Sequence, residues 1–287
     1  MKALVAVRAV LDEERFSEAA FRASAGPFVA DANDGPAVGL GVALAPESTV
    51  AVSVQPPERA ETALRRALAL GAASALCVWD DALTDADSSV TAHVLAAAVR
   101  RQAVDVVLFG HRSGDTETGA LPAYVTTLLK WPSVEGVVAA QQEGQELVVT
   151  RCPGTDVREV VAVSLPAVLT LAPGGVSVPY PTVAARIRAS RAPLMRLSPD
   201  DLALDTAALQ PRLTVDRVTL PKPTCAVPMR AAHPSPEVRA ALALASPVGS
   251  GAALRTGADA VAAALRAFEE AGVIRRGEGV SGEGSVR

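Results

Sequence analysis

Apolar and polar positions in the first 130 residues alternate between strand-like and helix-like stretches. Continuous apolar runs, typical of buried parallel strands, cover Lys2–Val7, Thr49–Val54, Ala75–Trp79 and Val104–Phe109. Apolar residues at helical spacing, with a proline near the start of two of the stretches, predict helices over Pro57–Leu70, Ser88–Arg101 and Leu121–Lys130. Strands and helices in this order, joined by short links, predict a parallel sheet built from right-handed crossovers.

The pattern after Lys130 changes to shorter strands. Two runs flanking a Glu-Gly pair predict a β-hairpin, and two more apolar runs follow; the four are Val137–Gln141, Leu147–Arg151, Glu159–Ser164 and Ala167–Ala172. A short helix is predicted over Ala184–Ser190. The expected core is therefore an α/β domain covering residues 1–205, with a parallel sheet and an added hairpin region.

The last 82 residues have a different composition. Seven prolines lie between Pro211 and Pro247, and an amphipathic helix is predicted over 257–272. The end of the chain, Gly277–Arg287, is rich in Gly, Ser and Glu and is expected to fray. Residues 206–287 therefore read as a proline-rich C-terminal arm that lies along another surface, because they contain too few core residues to fold alone.

Composition and charge exclude several classes of protein. The net charge of −4 argues against a dedicated nucleic-acid binder, which needs clustered Lys and Arg. No apolar run reaches the ~18 residues of a membrane span, and the first residues do not resemble a secretory signal, so a cytoplasmic protein is expected. The three cysteines and three histidines are scattered, which supports neither a disulfide framework nor a metal site.

The segment Gly110–Gly119 is the main candidate for chemistry. Ligands of parallel sheets bind outside the carboxyl ends of the strands, and this segment joins such an end to a helix. Small residues with free N–H groups at a helix start favour anions. The pattern is neither G-x-G-x-x-G nor a P-loop, so spacing alone favours a solvated loop with a helix cap over an anion site.

Four stretches together resemble the β subunit of electron transfer flavoprotein. They are the opening K-A-L-V-A-V-R with Asp12; P-P-E-R-A-E-T-A-L-R-R-A-L-A-L-G-A from Pro56; the loop G-H-R-S-G-D-T-E-T-G-A-L-P-A with Trp131-Pro132; and L-P-A-V from Leu165. The resemblance covers residues 1 to about 205. Each stretch is moderately specific, and their order and spacing carry the likeness.

The resemblance implies a fold, two cofactors and a partner. Members have a flavodoxin-like, doubly wound domain related to adenine-nucleotide α-hydrolases. The family pairs with an α subunit that holds most of the FAD, and its β subunit usually holds AMP, or a second FAD in electron-bifurcating relatives. A flavin dehydrogenase supplies electrons, and the β subunit itself is not an enzyme. By position, the nucleotide-lining residues would be Ala6, Val54, Ser113, Asp115, Thr118, Gly119, Ala120 and Leu121.

The chain departs from the family where partners dock. The usual N-E-P-R-[YF] is Ser177-Val178-Pro179-Tyr180-Pro181, and Ala184 stands at the place of an exposed leucine. An alanine buries much less surface than a leucine in a partner pocket. The basic run is thinned but cationic, so the expected docking residues are Tyr180, Ala184, Arg186, Arg188 and Arg191. These changes indicate a divergent member that serves a different dehydrogenase.

Two other interpretations remain open from the sequence. The chain could be a stand-alone adenine-nucleotide-binding module of the universal-stress type, although the G-x-x-G and G-[ST] elements of those modules are missing. It could also be a structural relative that has lost the nucleotide.

Overall fold

The structure is a computed structural model that describes residues 1–12, 26–154 and 157–213. By internal contacts the chain divides into Met1–Leu220 and Pro221–Arg287, and all described residues belong to the first unit. The predicted helix over 257–272 and the frayed tail lie outside the described residues. The boundary at residues 205 and 206 stays a prediction, as does the course of the arm.

The described residues form eleven strands and five α-helices. The strands are β1 (Ala3–Ala6), β2 (Ala9–Leu11), β3 (Phe28–Ala30), β4 (Thr49–Ser53), β5 (Ser74–Val78), β6 (Val106–Phe109), β7 (Ser133–Glu143), β8 (Glu146–Arg151), β9 (Glu159–Ser164), β10 (Ala167–Leu171) and β11 (Met195–Leu197). The helices are α1 (Gly35–Leu44), α2 (Pro57–Ala69), α3 (Ser88–Gln102), α4 (Leu121–Leu129) and α5 (Val183–Arg191).

Nine of the described strands form one sheet in the order β11-β5-β4-β1-β6-β10-β7-β8-β9. The pairs from β11 to β7 are all parallel, whereas β7, β8 and β9 pair antiparallel. The predicted α/β fold with a mostly parallel central sheet is thus confirmed. Strand β10 lies between β6 and β7, so the chain makes the antiparallel extension before it returns to the parallel part.

Alternate residues of the central strands face two separate apolar cores. Val5 and Leu108 pack with α1 and α2 on one face, while Leu4 and Val107 pack with α3 and α4 on the other. Both faces are covered, which explains why these strands read as continuous apolar runs rather than as alternating ones. Helices on both faces make the sheet doubly wound, as expected of a flavodoxin-like fold.

The C-terminal end of α1 contacts a buried hydroxyl group. Thr49 is fully buried, and its Oγ1 lies 2.8 Å from the carbonyl oxygen of Gly41 and 2.7 Å from that of Ala45. The last carbonyls of a helix have no partner within the helix, so the first residue of β4 supplies a donor to them. This contact joins the end of α1 to the strand that follows it.

Several elements differ from the sequence expectation. The two-stranded ribbon of β2 and β3 and the edge strand β11 were not expected; each has only three residues, too few for a period to show. Strand β7 begins at Ser133 rather than at Val137. Its pairing with β8 shifts register between Val137 and Ala139, just after Gly136, whose φ of +74° suits a residue without a side chain.

Candidate functional site

The topology reverses between β1 and β6. From β1 the chain continues to β4 on one side, and after β6 it continues to β7 on the other side. The crevice outside the carboxyl ends of these two strands is a topological switch point, where open α/β sheets bind ligands. Ala6 ends β1, Val54 follows β4, and the loop from Gly110 follows β6, so all three lie at this edge.

Four ionisable side chains meet at this edge, and we call Arg8, Asp31, Asp34 and Asp115 the switch-point cluster. Nη2 of Arg8 lies 2.5 Å from Oδ2 of Asp115. The backbone N–H of Arg8 donates to Oδ2 of Asp34 at 2.8 Å, and its carbonyl accepts from the N–H of Asp31 at 3.0 Å. Arg8 thus connects the end of β1 to two other segments.

Asp31 fixes the loop after β6. Its carboxylate accepts hydrogen bonds from the N–H of Gly114 at 2.6 Å and from that of Asn33 at 3.0 Å, and the residue is buried. The same two segments touch at Gly110, where a Cβ atom would lie 2.4 Å from the carbonyl oxygen of Asn33. Only a glycine allows the two backbones to approach this closely.

Asp34 holds a proton at neutral pH. Burial, and after it the negative charge of Asp31, raise the pKa of this carboxyl to about 8. The hydrogen bond from the N–H of Arg8 and the charge of Arg8 act in the opposite direction, and Asp115 adds to the rise. The cluster therefore carries one negative charge less at pH 7 than its composition indicates.

Side-chain hydrogen bonds shape the loop itself. The hydroxyls of Ser113 and Thr116 lie 2.7 Å apart, and Oδ1 of Asp115 accepts from the N–H of Thr116 at 2.7 Å. Glu117 and Gly119 have positive φ values of 49° and 60°, which turn the chain toward the start of α4.

The amides that lead into α4 are open. Among the described residues, the N–H groups of Thr118, Gly119, Ala120 and Leu121 have no hydrogen-bond partner. Ala120 provides no side-chain cap, and Thr118 to Gly119 are exposed. Open amides at the first turn of a helix favour a negatively charged group.

A glutamine joins β2 to the end of β4. Oε1 of Gln55 accepts from the N–H of Ala9 at 2.7 Å, and its Nε2 donates to the carbonyl of Ala9 at 2.9 Å. Gln55 is buried and directly follows Val54. These two bonds hold the chain after Arg8 beside Val54, so the walls of the crevice are fixed relative to each other.

The structure brings the predicted nucleotide-lining residues to one edge of the sheet. Leu121 packs its side chain against the core beside α3, so only its amide is available there. Sequence reasoning missed Arg8, Asp31 and Asp34. The sequence does place acidic residues just before Gly35-Pro36, a pair that favours a helix start, and this was the one pattern that could have indicated Asp31 and Asp34.

The predicted docking residues lie on and before α5. Tyr180 is 84% exposed, and the guanidinium carbon of Arg186 lies 5.4 Å from the centre of its ring. Ala184 is exposed, as are Arg188 and Arg191. Within the described part of the chain, none of the three arginines pairs with a carboxylate, so this surface is cationic.

Arg65 of α2 attaches α5 to the domain. Its Nη1 donates to the carbonyls of Ala189 at 2.7 Å and Ala192 at 2.5 Å, and Glu61 pairs with its Nη2 at 3.0 Å. A cation at a helix C-terminus satisfies the last carbonyls and complements the helix dipole. Thr182 caps the other end, because its Oγ1 accepts from the N–H of Ala185 at 3.1 Å.

Residues 1–12, 26–154 and 157–213 contain no group of three His, Cys, Asp or Glu side chains placed to hold a metal ion. None of the helices in these ranges has the length and apolar character to cross a bilayer.

Fold and site define a doubly wound α/β protein with an open-amide loop and a charged cluster at its switch point. The family model described as "Electron transfer flavoprotein domain" matches residues 23–202. The chain therefore belongs to the electron transfer flavoprotein family, as a relative of its β subunits, and the predicted resemblance is confirmed.

Three curated β subunits illustrate the similarity. The electron transfer flavoprotein subunit β of Methylophilus methylotrophus is 30% identical over 178 residues, or 60% of this chain and 67% of the relative. That of Thermoanaerobacterium thermosaccharolyticum is 34% identical over 151 residues, or 52% and 57%. That of Bacillus subtilis is 30% identical over 167 residues, or 58% and 65%. The matched region thus spans 57–67% of the length of these relatives.

Proposed function

We propose that this chain is the β subunit of a heterodimeric electron transfer flavoprotein. It binds an adenine nucleotide, AMP or a second FAD, at the loop before α4, and it covers the FAD that an α subunit mainly holds. Electrons arrive from a flavin dehydrogenase and leave to a downstream acceptor. The chain itself acts as a carrier subunit, not as an enzyme. Family membership supports this role over that of a stand-alone universal-stress module.

One observation carries the nucleotide site: the open amides of Thr118 to Leu121 at the switch point. The residues present fit a nucleotide phosphate, because these amides lie at the start of α4 and the guanidinium of Arg8 contacts Asp115 of the same loop. Nε of Arg8 is shielded from water and has no partner among the described residues. Ala6 and Val54 offer small apolar walls beside these polar groups, which suits an adenine ring.

FAD supplies the redox chemistry when it is bound. The residues of this chain have other tasks: they hold the nucleotide phosphate, exclude water from the shared edge and present a docking surface. The cationic surface of Tyr180, Arg186, Arg188 and Arg191 fits an acidic patch on a dehydrogenase. Ala184 adds little apolar burial there, so charge contributes more to this docking than an apolar anchor does.

The test is production of the full chain together with the electron transfer flavoprotein α subunit of the same organism. We expect a yellow 1:1 complex, and acid release should yield one FAD and one AMP for each heterodimer. Two FAD for each heterodimer would assign the second site to flavin and keep the proposal. A colourless chain that never associates with the α subunit, and that releases no adenine nucleotide, would refute it.

A further inference from the structure

The backbone of Arg8 is fixed, but its side chain is not. Its N–H and carbonyl are both used, by Asp34 and Asp31. The guanidinium has one partner among the described residues, Asp115, and this ion pair is partly exposed, at 38% for Arg8 and 32% for Asp115. Nε is shielded from water without a partner. The guanidinium therefore has one buried donor, Nε, without an acceptor.

The ion pair between Arg8 and Asp115 can be replaced at little cost in free energy. A partly exposed ion pair contributes little to stability, whereas a shielded donor without an acceptor is costly. Asp115 loses little when Arg8 leaves, because its Oδ1 keeps the N–H of Thr116 and its side chain reaches solvent. Arg8 also borders a cavity between α1 and α2, which leaves space for its side chain to rearrange.

The best acceptor for this guanidinium is a phosphate. Arg offers several N–H donors in a planar fork, which matches two oxygens of one phosphate group. The ion pair already brings Arg8 to the loop that carries the open amides, because Asp115 precedes Thr118 by only three residues. A phosphate placed on these amides would present further oxygens to the crevice.

We propose that Arg8 binds the nucleotide phosphate and exchanges Asp115 for it when the nucleotide enters. Asp115 is then the resting partner that keeps Arg8 at the loop, and it competes with the phosphate. This inference rests on the proposed nucleotide site, and it assigns to Arg8 a contact that the sequence patterns did not indicate.

The experiment measures binding of AMP and of adenosine by calorimetry, with the full chain in complex with its α subunit and freed of AMP. The variants are Arg8→Gln, Arg8→Lys, Asp115→Asn and the double variant Arg8→Gln with Asp115→Asn. Glutamine at position 8 removes both the positive charge and the planar pair of N–H donors, whereas lysine keeps the charge alone. Asparagine at position 115 removes the negative charge that competes with the phosphate. Circular dichroism and denaturation midpoints check that each variant folds.

Arg8→Gln should weaken AMP binding by about tenfold or more, as expected for a charge-assisted fork, and change adenosine binding by less than about twofold. Arg8→Lys, which also serves if the glutamine variant folds poorly, should weaken AMP binding by about threefold or more. Asp115→Asn should tighten AMP binding by about twofold to fivefold. This gain should vanish in the double variant, because no guanidinium is left to release.

Three results would overturn the assignment. AMP affinity of Arg8→Gln within about twofold of the parent would show that Arg8 does not bind the phosphate. If Arg8→Gln weakened the binding of AMP and adenosine equally, Arg8 would act on base binding or on folding and not on the phosphate. If Asp115→Asn weakened AMP binding, the ion pair would support the bound nucleotide and Asp115 would not compete with the phosphate. If the parent complex binds neither AMP nor a second FAD but retains one FAD and the α subunit, the nucleotide proposal fails together with this one.

Discussion

Asp31 and Gly114 are 83 positions apart, yet the carboxylate of one accepts the N–H of the other at 2.6 Å. This bond crosses the switch point and ties the loop after β6 to the turn before α1. Because Asp31 is buried, solvent competes little for this bond. The loop with the open amides is therefore held near its middle, four residues before Thr118.

Removing the Asp31 carboxylate should loosen this loop. Asp31→Ala leaves the amides of Gly114 and Asn33 without an acceptor, and we expect a loss of about 1–3 kcal/mol in the free energy of unfolding. Trypsin should also cleave faster after Arg112, which lies in the same loop.

The matched control is Asp80→Ala. Asp80 also accepts a backbone N–H, that of Ala82 at 3.0 Å, but at an exposed turn. This variant should leave cleavage after Arg112 unchanged. Equal proteolysis of Asp31→Ala and the parent would show that the bond does not order the loop.

A side chain at Gly110 should be poorly tolerated. The Cβ atom of Gly110→Ala would meet the carbonyl oxygen of Asn33 at 2.4 Å and Oδ1 of Asp34 at 2.9 Å. Backbone segments must move apart to relieve this contact, so we expect a loss of about 1–3 kcal/mol in urea unfolding. Gly154→Ala is the control, since nothing lies within 4 Å of its Cβ position. Equal stability of the two variants would contradict the close approach.

Stability should depend on pH through Asp34. Its pKa rises from an ordinary value of 3.8 to about 8 on folding, so the native state binds more protons than the unfolded chain between these values. The free energy of unfolding then falls as pH rises through this window and levels off above about pH 8. Arg8, Asp31 and Asp115 face this carboxyl.

Asp34→Asn should remove this dependence. Asparagine keeps an oxygen for the N–H of Arg8 but cannot ionise, so the variant should gain stability relative to the parent from pH 5 to pH 8. Urea unfolding of both proteins at four pH values measures the difference, and other titrating groups cancel in it. Parallel curves across the window would rule out a protonated Asp34.

The cationic helix α5 should depend on its cap. Thr182→Ala removes the acceptor for the N–H of Ala185, and we expect a loss of about 1 kcal/mol in the free energy of unfolding. Thr182→Ser keeps the hydroxyl and should restore most of it. If serine behaves like alanine, the cap bond does not stabilise α5.

Much of the fold could be predicted because its signals are local. The runs that became β1, β4, β5 and β6 are almost continuously apolar and buried, since both faces of the sheet are covered. Ribbons of three residues give no such signal, and β11 has two exposed residues and one partly buried.

The site was harder to predict than the fold. Gly110–Gly119 could be recognised as a loop between a strand end and a helix start. The switch-point cluster could not, because Arg8, Asp31, Asp34 and Asp115 come from three separate segments that meet only after the sheet has formed. A charged residue outside a periodic stretch looks like any solvated residue until its partners are known.

Because β10 lies between β6 and β7, the strands β7 to β9 can join the parallel sheet only after β10 has been synthesised. Among the described strands, β7 joins the parallel sheet only through β10, which pairs with β6 on its other side. The antiparallel segment from β7 to β9 can pair locally as it leaves the ribosome, but it has no attachment to the earlier strands until residue 171 has emerged. Until then one edge of β6 lacks its strand partner β10, and an unpaired edge of this kind can pair with another chain.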